Sequence, residues 1–143
     1  MKKLLLPALA VAFTLAGCSA PAQNNATAQP LLQGAEWVIE DIANTGIIDN
    51  SHIALEFLPD GRLAGSTGCN RILGSYATDA ADAAKLTIQP AGTTMMACPP
   101  ALMNQERKLL DLLPTVASYR IDSTGALVLH TAGKQTITAR RQN

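Results

Sequence analysis

The side chains of this sequence best able to attack a carbonyl or hold a metal are Cys18, Cys69, Cys98, His52 and His130, and they stand far apart. Cys69 lies in GSTGCNRILGSY, residues 65–76, where glycines surround a Gly-Cys-Asn triplet suited to a thiol catalyst, a tight turn or a structural staple. A catalytic Cys69 would need a depressed pKa and a base held nearby, and a sequence displays neither. A zinc site would have to gather both histidines with Cys69 and Cys98, none of which shows the close spacing of structural ligand pairs. Asp49-Asn50-Ser51-His52 contains the letters of a hydrolase triad. Residues so close along a chain rarely converge as nucleophile, base and orienter, so the stretch reads as a polar loop entering a strand. Glu36, Glu40 and Asp41 are spaced like charges on a solvated strand face, with no second carboxylate motif for glycosidase chemistry. The glycines are no phosphate loop either, since they precede no expected helix and lack a Gly-Lys-Ser/Thr ending. Gly65, Gly68 and Gly74 suit bulges, sharp bends or close backbone approach in a curling sheet.

Which cysteine chemistry is open depends on the compartment. Met1-Lys2-Lys3 is a short basic head, and Leu4 to Leu15 an apolar run containing one proline. That run falls short of the roughly 20 residues of a transmembrane helix and fits an export signal. Leu15-Ala16-Gly17-Cys18 resembles the bacterial lipobox. The resemblance implies cleavage before Cys18, diacylglycerol on its thiol and acylation of the new amino terminus, enough for stable anchoring. Ser19, where aspartate would signal retention, implies delivery to the outer membrane of a Gram-negative bacterium, with the domain facing the periplasm. Residues 1–17 are thus read as a lipoprotein signal peptide and 18–33 as a lipidated flexible tether, rich in Ala, Gln, Asn, Pro and Thr. Its typical reach is on the order of 20 Å. In such an oxidising space Cys69 and Cys98 most simply form one disulfide, the rival being a periplasmic thiol or redox enzyme that uses both.

Charge narrows the partners. The chain carries 11 basic and 11 acidic residues, and signal cleavage removes Lys2 and Lys3, so no electrostatic footprint for nucleic acid remains. Aromatic residues make up 3% of the sequence, too few for a platform that stacks bases or sugars. No cofactor motif is present, and the expected contacts are the membrane through the lipid anchor and an envelope protein partner or apolar ligand.

The elements that must position these residues belong to one domain, 34–143, with one core. Ile53, Leu55 and Phe57 alternate with Ala54 and Glu56, and Leu86 and Ile88 alternate with Lys85, Thr87 and Gln89, the pattern of strands with one buried face. Similar signals occur at 36–41, 119–122, 126–130 and 135–140. Pro59-Asp60-Gly61, Ser123-Thr124-Gly125 and Ala132-Gly133-Lys134 supply short turns suited to antiparallel hairpins and leave no room for parallel crossovers. After Pro99-Pro100, Leu102, Met103, Leu109, Leu110 and Leu113 fall near helical spacing, which predicts an amphipathic helix over 101–113 that Pro114 ends. The fold class is therefore mainly β (α+β), one amphipathic helix packed on a curved antiparallel sheet.

Two motifs then resemble a known family. Gly68-Cys69-Asn70 followed by Gly74 and Tyr76, and later Thr94-Met95-Met96-Ala97-Cys98, are similar in type and order to the signature of the META domain of HslJ-like bacterial lipoproteins. The lipobox, Trp37 in the first strand and the ending LVLHTAGKQTIT over 127–138 extend the resemblance across nearly the whole domain. Met95 departs from it, standing where members often carry Arg or Lys. The resemblance implies Gly68, Cys69, Asn70, Gly74, Tyr76, Thr94, Met96 and Cys98 as signature residues, a fold in which the curved antiparallel sheet forms a small, partly open, cracked barrel with the helix packed on it, and no established catalytic activity. It also implies a link to heat or envelope stress and antibiotic tolerance. The function expected is a non-enzymatic lipoprotein supporting outer-membrane integrity, with carriage of a small apolar ligand as the alternative.

Overall fold

A computed structural model describes residues 29–142, so the signal peptide read over 1–17 and the lipid site Cys18 lie outside the described residues. A short helix α1 (Gln29–Leu32) leads into β1 (Glu36–Ile42), β2 (Ile53–Phe57), β3 (Arg62–Thr67), β4 (Arg71–Thr78) and β5 (Leu86–Thr93). Helix α2 (Pro100–Leu112) and a 3-10 turn (Leu113–Thr115) follow, then β6 (Val116–Ile121), β7 (Leu127–Thr131) and β8 (Thr136–Gln142). All eight strands form one antiparallel sheet in the order β5-β4-β3-β2-β1-β8-β7-β6. The two edge strands meet at one end, where Lys85 bridges Ser118 and the Tyr119 N–H donates to Ala84 O at 2.8 Å. The sheet is antiparallel, as the alternation and the short turns predict, and it forms a nearly closed barrel, as the resemblance implies.

Its interior is filled by side chains. Trp37, Ile39, Leu55, Phe57, Leu63, Ile72, Leu129 and Ile137 point inward and are essentially inaccessible to solvent. An eight-stranded barrel is about wide enough for its own side chains. Proline stands at the first turn of α2, and the helix yields to the 3-10 turn around Pro114, one residue from the predicted end. Leu109, Leu112 and Leu113 are the side chains it buries, whereas Met103, expected on the packed face, is 38% exposed.

The domain begins earlier than the sequence suggests. Leu32 is fully buried, its carbonyl accepts the Trp37 indole N–H at 2.8 Å, and Gln33 bridges to Phe57 and donates to the Tyr76 hydroxyl at 2.8 Å. The tether read over 18–33 is corrected at its end: a polar segment carries a pair of leucines, of which Leu32 enters the core and gives the Trp37 ring N–H its acceptor.

Each of the three glycines solves a different problem. Gly68 turns the chain from β3 to β4 with φ +88, in the left-handed region. Gly65 faces the core, and a Cβ there would lie 2.1 Å from Ala54 O. At Gly74, beside the bulge that follows Leu73, a Cβ would lie 2.5 Å from Gln89 O. The backbones of β2 and β3, and of β4 and β5, therefore approach more closely than any side chain allows. Gly65→Ala should cost about 1–3 kcal/mol or more in urea denaturation, whereas Gly92→Ala, where a Cβ meets open space, should stay within about 0.5 kcal/mol of the parent.

The β6–β7 hairpin adds an electrostatic anchor. The Asp122 carboxylate accepts from Thr124 Oγ1 (2.7 Å), Thr124 N (2.8 Å) and Ala126 N (3.0 Å). The Thr124 hydroxyl first, and the two backbone N–H groups after it, hold this carboxyl below its ordinary value of 3.8. A lowered folded pKa contributes stability above that value and loses it as pH falls through the folded one. The Tm difference between the parent and Asp122→Ala should accordingly shrink as pH drops below 3.8. A gap constant down to the acid limit would show that the charge contributes nothing.

Candidate functional site

The two halves of the signature meet at one end of the barrel. Cys69, in the β3–β4 turn, and Cys98, just before α2, are joined by a disulfide with Cα atoms 5.9 Å apart. Beside it Asn70 is buried, 5% exposed, and its carboxamide is fully occupied. Its Oδ1 accepts the Met96 N–H at 2.7 Å and the Thr94 hydroxyl at 2.9 Å. Its Nδ2 donates to Glu106 Oε1 at 3.0 Å and to the Cys69 sulfur at 3.4 Å. Thr67 closes the turn: its N–H donates to Asn70 O at 2.8 Å, and its Oγ1 accepts the Asn70 N–H at 2.9 Å while meeting the second Glu106 oxygen. No buried side-chain nitrogen or oxygen among the described residues lacks a partner.

Helix α2 is held across this end by three polar side chains, Gln105, Glu106 and Lys108. Glu106 receives Asn70 and Thr67. Gln105 accepts the Ile48 N–H at 2.7 Å and donates to Ser51 Oγ at 3.0 Å, and Lys108 donates to Ile42 O and Thr45 Oγ1. The helix thus ties the 43–51 loop to the β3–β4 turn. Glu106 does not figure among the sequence-predicted residues, yet a signal exists. It stands four residues after Leu102 and three before Leu109, a carboxylate on the apolar stripe that a buried amide must explain.

The remaining candidates separate from this cluster. Tyr76 lies further along β4, donating to Leu58 O at 2.8 Å and packing edge-on against Phe57 with ring centroids 5.0 Å apart. Ser51 is spent on Ile48 O at 2.6 Å and Gln105, whereas the His52 ring pairs with Glu36 at 3.0 Å, so the triad letters do not converge. His130 lies on β7, and no group of three metal-capable side chains gathers among the described residues. A polar pocket of about 300 Å³ on the outer face is lined by Glu36, His52, Ser66, Cys69, Asn70 and Arg71. Chemically the site is a fastening: a disulfide and an amide whose every position is taken.

Removing that amide should be costly. Asn70→Ala leaves the Met96 N–H, the Thr94 hydroxyl and the Glu106 carboxylate short of partners, for a loss of about 2–4 kcal/mol in urea denaturation. Asn70→Asp keeps the oxygen that accepts from Met96 and Thr94 but sets a second carboxylate against Glu106, and adding Glu106→Gln should restore most of the loss, a coupling of more than about 1 kcal/mol. If Asn70→Asp alone is as stable as the parent at pH 7, the amide does not hold the two motifs together.

Comparison with known proteins agrees with this geometry. Residues 30–143 match the META domain family. A protein from Burkholderia xenovorans solved by NMR is similar in fold, with a TM-score of 0.65 and 24% identity over 96% of this chain and 99% of the other. A crystal structure of a DUF4847 family protein from Bacteroides vulgatus has a TM-score of 0.62 and 17% identity, covering 80% of this chain and 96% of that one. Among curated proteins none matches. With the family matched over the whole folded domain, including both signature motifs, the chain belongs to the META domain family.

Proposed function

We propose that this META domain protein is a non-enzymatic lipoprotein, anchored through Cys18 in the outer membrane of a Gram-negative bacterium with its domain facing the periplasm. It supports envelope integrity under heat or antibiotic stress by holding a partner or an apolar segment on its surface. The observation that supports a binding role over catalysis is the Asn70 network. The most chemically suggestive residues of the sequence are consumed in holding the fold, with the carboxamide saturated and both thiols bonded to each other. A filled barrel interior favours the surface over an internal carrier cavity. The anchor rests on the lipobox Leu15-Ala16-Gly17-Cys18 and Ser19.

In the native host, a strain lacking the protein should take up a hydrophobic dye such as N-phenyl-1-naphthylamine severalfold faster after heat stress. Wild type should restore the barrier and Cys18→Ser should not, with acylation followed by alkynyl-palmitate labelling of the purified chain. Unchanged uptake in the deletion strain, or full rescue by the unlabelled Cys18→Ser chain, would overturn the reading.

A further inference from the structure

The corner of the sheet that carries the signature also presents apolar side chains to water. Leu73 is 64% exposed, Met96 62% and Met95 98%. Register brings them together: the Arg71 N–H donates to Thr94 Oγ1 and the Thr94 N–H to Arg71 O, both at 3.0 Å, and Met95 and Met96 follow directly. Leu73 stands opposite Gly92, which has no side chain to cover it. Arg71 precedes Leu73 by two residues and so shares its face. Its guanidinium makes no ion pair or hydrogen bond among the described residues. A groove of about 440 Å³, floored by Ala64, Leu73, Ala91 and Gly92, has Arg71 as the one charged residue on its wall among the described residues.

An added peptide strand is a poor occupant for this corner. The free edge of β5 carries Pro90, which has no N–H to offer, and a bulge beside it interrupts the ladder. Protruding aliphatic and thioether side chains around a guanidinium with no partner among the described residues instead match a lipid–water interface. There the apolar tips enter the acyl boundary and a guanidinium meets phosphate. Glu36 and Glu56 line the adjoining polar pocket and not the groove, Glu36 being paired with His52.

Tether length is compatible. With lipid on Cys18, residues 19–28 precede α1, a span of roughly 18 Å as a coil and at most about 35 Å extended. Gln33 is bonded to Tyr76, and residues 71 to 76 of β4 put the patch roughly 17 Å away. We propose that Leu73, Met95, Met96 and Arg71 form a second membrane contact, which lays the domain onto an anionic phospholipid bilayer. The tether part of this inference rests on the lipoprotein reading.

The test reads the patch separately from the anchor. Full-length chain is reconstituted into phosphatidylethanolamine–phosphatidylglycerol vesicles containing doxyl-labelled lipid. Trp37 is buried at 2% exposure and supplies a constant background. The indole introduced by Met95→Trp should be quenched severalfold more than one introduced by Arg120→Trp, on exposed β6 surface. Adding Leu73→Glu and Met96→Glu should abolish the difference. Arg71→Ala, or omission of phosphatidylglycerol, should lower the contacting population roughly fivefold. Equal quenching at the two positions, or quenching indifferent to the glutamates, overturns the membrane contact and leaves the patch to a protein partner. Intact mass reads acylation in the same sample. A chain without acyl groups sinks the lipoprotein reading, whereas an acylated chain with an unquenched indole sinks this inference alone.

Discussion

One carboxamide holds a turn, a strap and a helix together where the β4–β5 ladder ends. Asn70 lies in the turn between β3 and β4, Met96 and Thr94 in the strap leaving β5, and Glu106 in the middle of α2, and their contacts converge on its four hydrogen-bonding positions. Inside a protein such a set is strong when complete and costly when broken, because an unpaired amide or carboxylate has no water to fall back on. The Cys69–Cys98 bridge acts on the same segments from the covalent side. Closing a loop of that length removes roughly 3–4 kcal/mol worth of chain freedom from the unfolded state, while the amide selects one arrangement of the closed loop. The two devices are complementary, one limiting where the strap can go and the other deciding how it sits.

That fastening matters because the barrel does not close by strand pairing alone. β5 and β6 touch at Lys85 and Ser118, and the connection between them runs through α2 and the 3-10 turn. Leu109, Leu112 and Leu113 from this connection join the core. A helix placed there by apolar contacts alone could slide by a turn, since leucines recur along it. Glu106, Gln105 and Lys108 each find a different backbone or side-chain partner on the barrel end, so only one register satisfies all three. Polar contacts on this helix therefore specify position, and the leucines supply the burial.

The strands with clean alternation were legible from sequence, as were the short turns and the limits of α2. β3 and β4 were harder, because Gly65 and Gly74 interrupt the pattern where β3 and β4 must approach β2 and β5. A glycine that reads as a bend in a one-dimensional pattern is here an inward position whose side chain has been traded for close backbone contact. Leu32 is hidden by its polar surroundings, and its role shows only in three dimensions, where its side chain joins the core and its carbonyl accepts the Trp37 indole N–H. Both signature motifs were visible as strings, but the reason they belong together was not, since it depends on Glu106, a residue separated from Asn70 by 36 positions. Long-range polar pairing leaves no periodicity to read.

The same rigidity explains how methionines can stand in water on a small domain. An exposed Met95 on a mobile loop would fold back to shed its apolar surface. Here the strap is pinned at Thr94 by Arg71, at Met96 by Asn70 and at Cys98 by the disulfide, so Met95 lies between fixed points and stays 98% exposed. Exposure of single apolar residues is ordinary, and here hydrogen bonds on both sides of Met95 supply the order that keeps it out. The contacts that spend Asn70 and Cys69 inside the domain are thus also the ones that present Met95 and Met96 outside it. A signature that looks catalytic in sequence becomes, in three dimensions, the support for a surface.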